Sequence, residues 1–419
     1  MKRTWLGLWL LTAAHCAQAS NLPVPDAASS QGTGGSSEAG QPASGRAANG
    51  GDGGAATGGA AGVRAGAPAL PALDAEALLS SSCRTLATPA ELLPANILFV
   101  IDRSRSMICN PPPITDSASC ENDSKRATQD PTKWDITRKA LVESLKIAPE
   151  ASRVGVSYFS NDEACGVQAN PNVPLRRNTA SQKDLIDVSL TAVKPSGATP
   201  LVGATILAYQ YLHDLASDGL ISGNTFVVLL TDGKQSDSCG DPARCTSADE
   251  CTKLLVETEV PKAAGPGVSI RTFVIGVPGS EADQRTLSRI AVAGGTRRSP
   301  NCDQDRDCHF DVGSGGDFSG ALHLALQNVL GQTRSCDLPA PRPEGGALDL
   351  VNVLYKAQNH ARVVIPQDVK HECDSGANGW RYAENNTRIR LCGDFCKQVS
   401  ADPAGELTVV LGCPVQGPI

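Results

Sequence analysis

The chain is poor in aromatic side chains, methionine, histidine and positive charge. Phe, Trp and Tyr make up 4% of its 419 residues, and Met occurs twice. Lys and Arg number 37 against 44 Asp and Glu, giving a net charge of −7. Nucleic acid is not the expected partner, because neutralising phosphates requires clustered Lys and Arg. No apolar run is long enough to span a bilayer: Trp5 to Ala14 falls well short of the roughly 20 residues a transmembrane helix needs. The six histidines (His15, His213, His309, His323, His360 and His371) show no metal-ligand spacing. The close pairs Cys302/Cys308 and Cys392/Cys396 lack the second C-x-x-C or paired histidines of a zinc site.

What is present begins with an export signal over residues 1–19. Lys2 and Arg3 supply the positive start, Trp5 to Ala14 the apolar run, and Ala17-Gln18-Ala19 the small residues before cleavage. A lipid anchor on Cys16 is the alternative, although His15 stands where lipoprotein signals place a small residue. Residues 20–72 are Gly, Ala, Ser and Pro with almost no large apolar side chain, so a disordered tether is expected. The destination is secreted, periplasmic or cell-surface. Of 15 cysteines, setting aside Cys16 leaves an even number, which in an exported chain predicts disulfides.

With 41% hydrophobic residues the remainder can bury a sizeable core. From Ala95 onward, apolar strands alternate with amphipathic helices. Asn96 to Ile101 and Thr225 to Leu230 are continuous apolar runs, as buried parallel strands are. Val154 to Phe159 and Val268 to Val277 are further strands; Thr132 to Ala148, Lys183 to Val193, Thr199 to Ala216, Glu281 to Ala293 and Phe318 to Leu330 are predicted helices. The segment with Cys239, Cys245 and Cys251 reads as a loop. This order predicts an α/β fold with a doubly wound, mostly parallel sheet over residues 83–336. Residues 337–419 predict a small, mostly β, disulfide-rich appendage. A Cys83–Cys336 bond is expected to clamp the ends of the α/β domain. Cys109–Cys120 and Cys302–Cys308 are expected to close locally, and Cys165, Cys239, Cys245 and Cys251 to form two bonds. The last four, Cys373, Cys392, Cys396 and Cys413, are expected to pair among themselves.

Three separated pieces carry the chemistry. Asp102-Arg103-Ser104-Arg105-Ser106 follows the first apolar strand, Gly197-Ala198-Thr199-Pro200-Leu201 opens a helix, and Asp232-Gly233 follows another apolar strand. Loops at the carboxyl ends of parallel strands converge on one crevice. Three neutral hydroxyls (Ser104, Ser106, Thr199) and two carboxylates (Asp102, Asp232) suit a small hard cation that prefers oxygen and keeps water.

These pieces resemble the metal-ion-dependent adhesion site of the von Willebrand factor A-domain family. The resemblance covers roughly Ala95 to Gly331 and matches all five family positions: Asp102, Ser104, Ser106, Thr199 and Asp232. It implies a Rossmann-like fold and a bound Mg²⁺ or Mn²⁺, with Ca²⁺ less suited. It also implies a protein ligand that completes the metal shell with an Asp or Glu. Met107-Ile108-Cys109 stands where integrin β-type domains carry acids for a neighbouring calcium, so that second site is not expected.

The functional expectation is therefore an exported, metal-dependent, adhesion-type protein-binding module. The alternative is a structural envelope or surface protein whose fold is a scaffold and whose metal is incidental. An enzyme is not expected. Thr12 to Cys16 matches the histidine motif of trypsin-like proteases, but no G-D-S-G-G accompanies it, and a triad needs all its members. Asp303, Asp305 and Asp307 alternate as in a calcium loop, but Cys308 and Ser314 occupy the positions an EF-hand reserves for Gly and Glu.

Overall fold

The parallel sheet is built from the strands whose sequences are apolar throughout. A computed structural model describes residues 74–413, apart from 82–85, 112–129, 163, 240–244, 314–315, 334, 342–349, 370–372, 374–377, 384 and 403. The export signal, Cys16, the tether, Cys83 and Cys120 lie outside the described residues. In chain order the elements are α1 (Ala75–Ser80), β1 (Leu86–Ala90), β2 (Asn96–Asp102), α2 (Lys133–Ile147), β3 (Arg153–Phe159), β4 (Val173–Arg177), α3 (Ala180–Ala192) and α4 (Leu201–Ser217). Then come β5 (Thr225–Thr231), α5 (Ala248–Leu254), α6 (Val260–Ala264), β6 (Ile270–Gly276), α7 (Gln284–Ala293), β7 (Phe310–Asp311) and α8 (Phe318–Thr333). The C-terminal part adds β8 (Asp337–Pro339), β9 (Val351–Lys356), β10 (Val363–Ile365), β11 (Gly379–Ala383), β12 (Arg388–Cys392), α9 (Gly393–Ala401) and β13 (Glu406–Leu411).

Six strands form one sheet in the order β4-β3-β2-β5-β6-β7. All are parallel except β4, which is antiparallel to β3 at the edge. Every residue of β2 and β5 is buried. Side chains alternate across a strand, so Ile97, Phe99 and Ile101 enter one core with α2, α3 and α8. Leu98 and Val100 enter a second core with α4, α5, α6 and α7. The sheet is covered on both faces, as expected for a doubly wound fold. The segment expected to be a Cys-rich loop instead contains α5, capped by the Ser247 hydroxyl on Glu250 N.

The C-terminal strands form a four-stranded antiparallel sheet, β1-β13-β9-β10, and a three-stranded one, β11-β12-β8. Leu338, Val353, Trp380, Ile389, Leu391 and Val409 share a core between them. Ala75 and Leu78 of α1 pack with Leu354 and Val410 on the far side of β9 and β13. Residues 86–90, assigned from sequence to the α/β domain, therefore pair with the C-terminal strands, Leu86 opposite Leu411. Such a long-range pairing leaves no local sequence mark.

Five disulfides join described residues: Cys165–Cys239, Cys245–Cys251, Cys302–Cys308, Cys336–Cys396 and Cys373–Cys392. Cys302–Cys308 and the two bonds among Cys165, Cys239, Cys245 and Cys251 match expectation. The expected Cys83–Cys336 bond does not form, and the last four cysteines do not pair only among themselves, because Cys396 takes Cys336. The reason is positional. Cys336 stands one residue before β8, which pairs with β12, so it belongs to the C-terminal sheets rather than to the end of the α/β domain. Asp337, fully buried beside it, receives Arg390 through both carboxylate oxygens at 2.7 and 2.9 Å. Among the described residues no helix is long and apolar enough to cross a membrane.

Candidate metal-ion site

The site stands at the carboxyl ends of β2 and β5, neighbours in the sheet and the point where successive crossovers diverge to opposite sides. Parallel register sets Ile101 beside Leu230. The chain leaves the sheet at Asp102 on one strand and at Thr231 on the other.

Asp102 is fully buried, and both of its oxygens are engaged. Oδ1 accepts the backbone N–H of Ser104 at 2.8 Å, and Oδ2 accepts the Thr231 hydroxyl at 2.8 Å. Residues 105–108 then form a single 3₁₀ turn pinned by the fully buried Met107. Across this turn Ser106 Oγ donates to Asp232 Oδ1 at 2.9 Å. Its only hydroxyl proton is thereby used, so Ser104 Oγ is the donor in the 3.0 Å hydrogen bond between the two serines. Ser104, Ser106 and Asp232 thus form one hydrogen-bonded chain, with Asp102 joined to it through the Ser104 backbone.

Thr199 is brought to the same edge by its backbone. The Arg105 N–H donates to Gly197 O at 3.0 Å, tying the turn before α4 to the Asp-x-Ser-x-Ser loop. Gly197 has φ +79°, and a Cβ there would lie 2.5 Å from Ser160 Oγ, so only glycine fits. Thr199 N donates to Ser236 Oγ at 2.9 Å, and Thr199 O accepts from Ser236 N at 3.0 Å. This fastens Thr199 to the loop that follows Asp232. Cys165–Cys239 closes the same edge from outside.

Burial is the first cause that pushes the Asp102 carboxyl up to about 7, and the Asp232 charge is the second; hydrogen bonds from Ser104 and Thr231 oppose them. Two buried carboxylates beside the Ser104 and Ser106 hydroxyls form an oxygen-only donor set of mixed charge, with Thr199 held at the same edge by its backbone, and the ionisation of Asp102 that burial and Asp232 oppose is what a cation would relieve. The residues present fit a small divalent metal. Among the described residues there is no cluster of three or more His, Cys, Asp or Glu placed to hold a metal. Any cation here would depend on the hydroxyls.

Three contributors were not singled out from sequence. Thr231 fixes one oxygen of Asp102. Asp283 lies near Asp232, and burial together with that charge raises its pKa, while Lys234 opposes. Lys133, the first residue of α2, is buried and pairs with Asp232 Oδ2, while also donating to Pro278 O at 2.8 Å. Its one sequence signal is a lysine at a helix start, where acids are preferred. The acidic stretch from Asp303 to Asp307 is closed by Cys302–Cys308 and internally engaged: Asp307 accepts from Asp303 N, and Asp305 pairs with Arg289.

Residues 96–306, just over half of the chain, match the von Willebrand factor type A domain. The chain belongs to the von Willebrand factor type A domain family. Among solved structures it is similar to the pilus adhesin SpaC from Lactobacillus rhamnosus GG, at 14% identity and TM-score 0.39, over 76% of this chain and 39% of that one. It is also similar to the PilB minor pilin from Streptococcus sanguinis, at 17% identity and TM-score 0.40, over 58% of this chain and 61% of that one. Manganese-loaded Plasmodium vivax TRAP protein is similar at 14% identity and TM-score 0.30, over 67% of this chain and 96% of that one. The chain thus spans less than two thirds of the length of SpaC and PilB. No curated protein matches it.

Proposed function

We propose that the chain is an exported, adhesion-type protein-binding module that captures an acidic side chain of a partner protein through a bound divalent metal. Asp102, Ser104, Ser106, Thr199 and Asp232 would hold Mg²⁺ or Mn²⁺. The bound ion would act as a Lewis acid toward a carboxylate. The supporting observation is the hydrogen-bonded assembly of Asp102, Ser104, Ser106 and Asp232 where β2 and β5 end. Asp102 would contribute charge, held in one orientation by Ser104 N and Thr231. The serine hydroxyls would contribute oxygens without further negative charge, so the site stays receptive to an external carboxylate. The reading is of a binding protein rather than an enzyme, of surface or envelope location. The export signal, the tether and the choice between cleavage and lipidation at Cys16 belong to the same proposal.

One observation favours a second reading. Lys133 already neutralises Asp232, which suits a structural surface protein in which the metal is incidental. Pull-down of envelope and medium proteins with the full chain separates the two. Capture in Mg²⁺ that disappears in chelator supports the binding module, and identical capture in both conditions supports the scaffold.

A further inference from the structure

The helix that begins at Lys133 starts with the wrong charge. A helix N-terminus carries the positive end of the backbone dipole, which favours carboxylates and disfavours an ammonium. Lys133 is also 4% exposed, so its ammonium has lost water as well. Nothing about starting the helix requires it. Thr132 and Asp135 form a capping box without its help, Thr132 Oγ1 accepting from Asp135 N and Asp135 Oδ2 accepting from Thr132 N.

What the ammonium touches is the site. The two oxygens of Asp232 are divided: Oδ1 accepts from Ser106, at the head of the serine chain, and Oδ2 accepts from Lys133. The second contact, to Pro278 O, fixes the ammonium from the loop after β6. Lys133 is thereby held in place from two sides.

We propose that Lys133 is the resident counter-cation of the metal-ion site, a positioning residue that keeps Asp232 Oδ1 turned to the serines and lowers the site's affinity for a divalent cation. The inference rests on the metal-binding reading above. Two carboxylates alone balance the charge of a divalent ion. With Lys133 in place the ion, Asp102, Asp232 and Lys133 sum to one positive charge, the nearby Asp283 and Lys234 being of opposite sign, and an acidic side chain from outside becomes the group that balances it. A single lysine thus trades affinity for metal against affinity for a partner's carboxylate.

Titration calorimetry of Mg²⁺ and Mn²⁺ into the full chain tests this with Lys133→Gln and Lys133→Met. The glutamine keeps a donor but drops the charge, and should bind Mg²⁺ roughly tenfold more tightly than the unmodified chain. The methionine loses charge and donor together and should gain less, because Asp232 is no longer held. Equal gains in the two variants would overturn the positioning role. Unchanged or weaker binding by Lys133→Gln would overturn the proposal while leaving the metal site standing. An absence of binding in all three proteins would overturn the metal reading and the inference together. The melting temperature gives a second readout: without metal it should drop in Lys133→Gln, and added Mg²⁺ should raise it further than in the unmodified chain. If this variant refolds only in Mg²⁺ the proposal is supported; if it refolds in neither condition the proposal fails.

Discussion

Cys165, in the loop after β3, is bonded to Cys239, in the loop after Asp232, across 74 residues of sequence. Between them the bond brackets the turn that carries Thr199, whose partner Ser236 lies three residues before Cys239. Closing a loop of this length corresponds to about 4 kcal/mol in the loop-entropy model. The double variant Cys165→Ser/Cys239→Ser should lose about 2–4 kcal/mol of stability in denaturant titrations. It should also bind Mg²⁺ several-fold more weakly, because Thr199 is fastened through the loosened loop. Unaltered metal affinity beside reduced stability would show that the bond serves folding alone.

Asp102→Asn separates stability from metal binding. In the metal-free chain the carboxylate is buried and opposed by Asp232, so a neutral isostere should leave stability unchanged or raise it slightly. Mg²⁺ affinity should fall at least roughly tenfold, because one of two charged donors is gone. Thermal melts with and without Mg²⁺ check both halves; a strongly destabilised metal-free variant would contradict this account of Asp102.

The ion pair of Asp337 with Arg390 anchors β8 to β12. Asp337 is fully buried, while Arg390 is 42% exposed and keeps part of its hydration. Asp337→Asn should therefore cost roughly 2–4 kcal/mol, toward the lower part of what a broken buried pair costs. Mg²⁺ binding should be unaffected, since β8 and β12 lie in a different sheet from the metal-ion site. Calorimetry showing a parallel loss of metal binding would mean that the two sheets are energetically coupled.

His309 supplies a pH dependence. Burial is the main cause that lowers its pKa from 6.5 to about 4, with Arg298 acting the same way and Asp311 and Asp307 opposing. Nδ1 shares a hydrogen bond with Ser288, whereas Nε2 is buried with no hydrogen-bond partner among the described residues. Protonation would orphan a charged N–H there. The folded value lies below the unfolded one, so the unfolded chain takes up the proton first. This contribution to stability is full above about pH 6.5 and is lost as pH falls toward about 4, by about 3 kcal/mol at most. Denaturant titrations across that window should show a shallower pH slope for His309→Gln than for the unmodified chain. Equal slopes would dismiss His309 as the source.

Much of the α/β part was legible in the sequence because its signals are local. A strand buried on both faces must be apolar at every position, and Asn96 to Ile101 and Thr225 to Leu230 announce themselves that way. The convergence of the candidate site residues was readable for a related reason. Asp102, Ser104 and Ser106 lie within five residues at the end of one strand, and Asp232 directly follows another, so chain order and the rule that strand ends converge were enough to bring four of them together. Thr199 reached the same edge through the Gly197 turn, whose glycine is demanded by a positive φ and a close approach.

What the sequence could not determine were the relationships between distant segments. The pairing of Leu86–Ala90 with Glu406–Leu411, the bond between Cys336 and Cys396, and the seat of Lys133 on Asp232 all depend on which surfaces meet after the sheet has formed. Periodicity reports which face of an element is buried, not what covers it. Cysteines carry no mark of their partners, and a lysine at a helix start looks like a solvated charge until a carboxylate from another strand arrives beside it. Residue types and their order pointed to the candidate donor set; only tertiary packing placed Lys133, a cation of the protein's own, against Asp232.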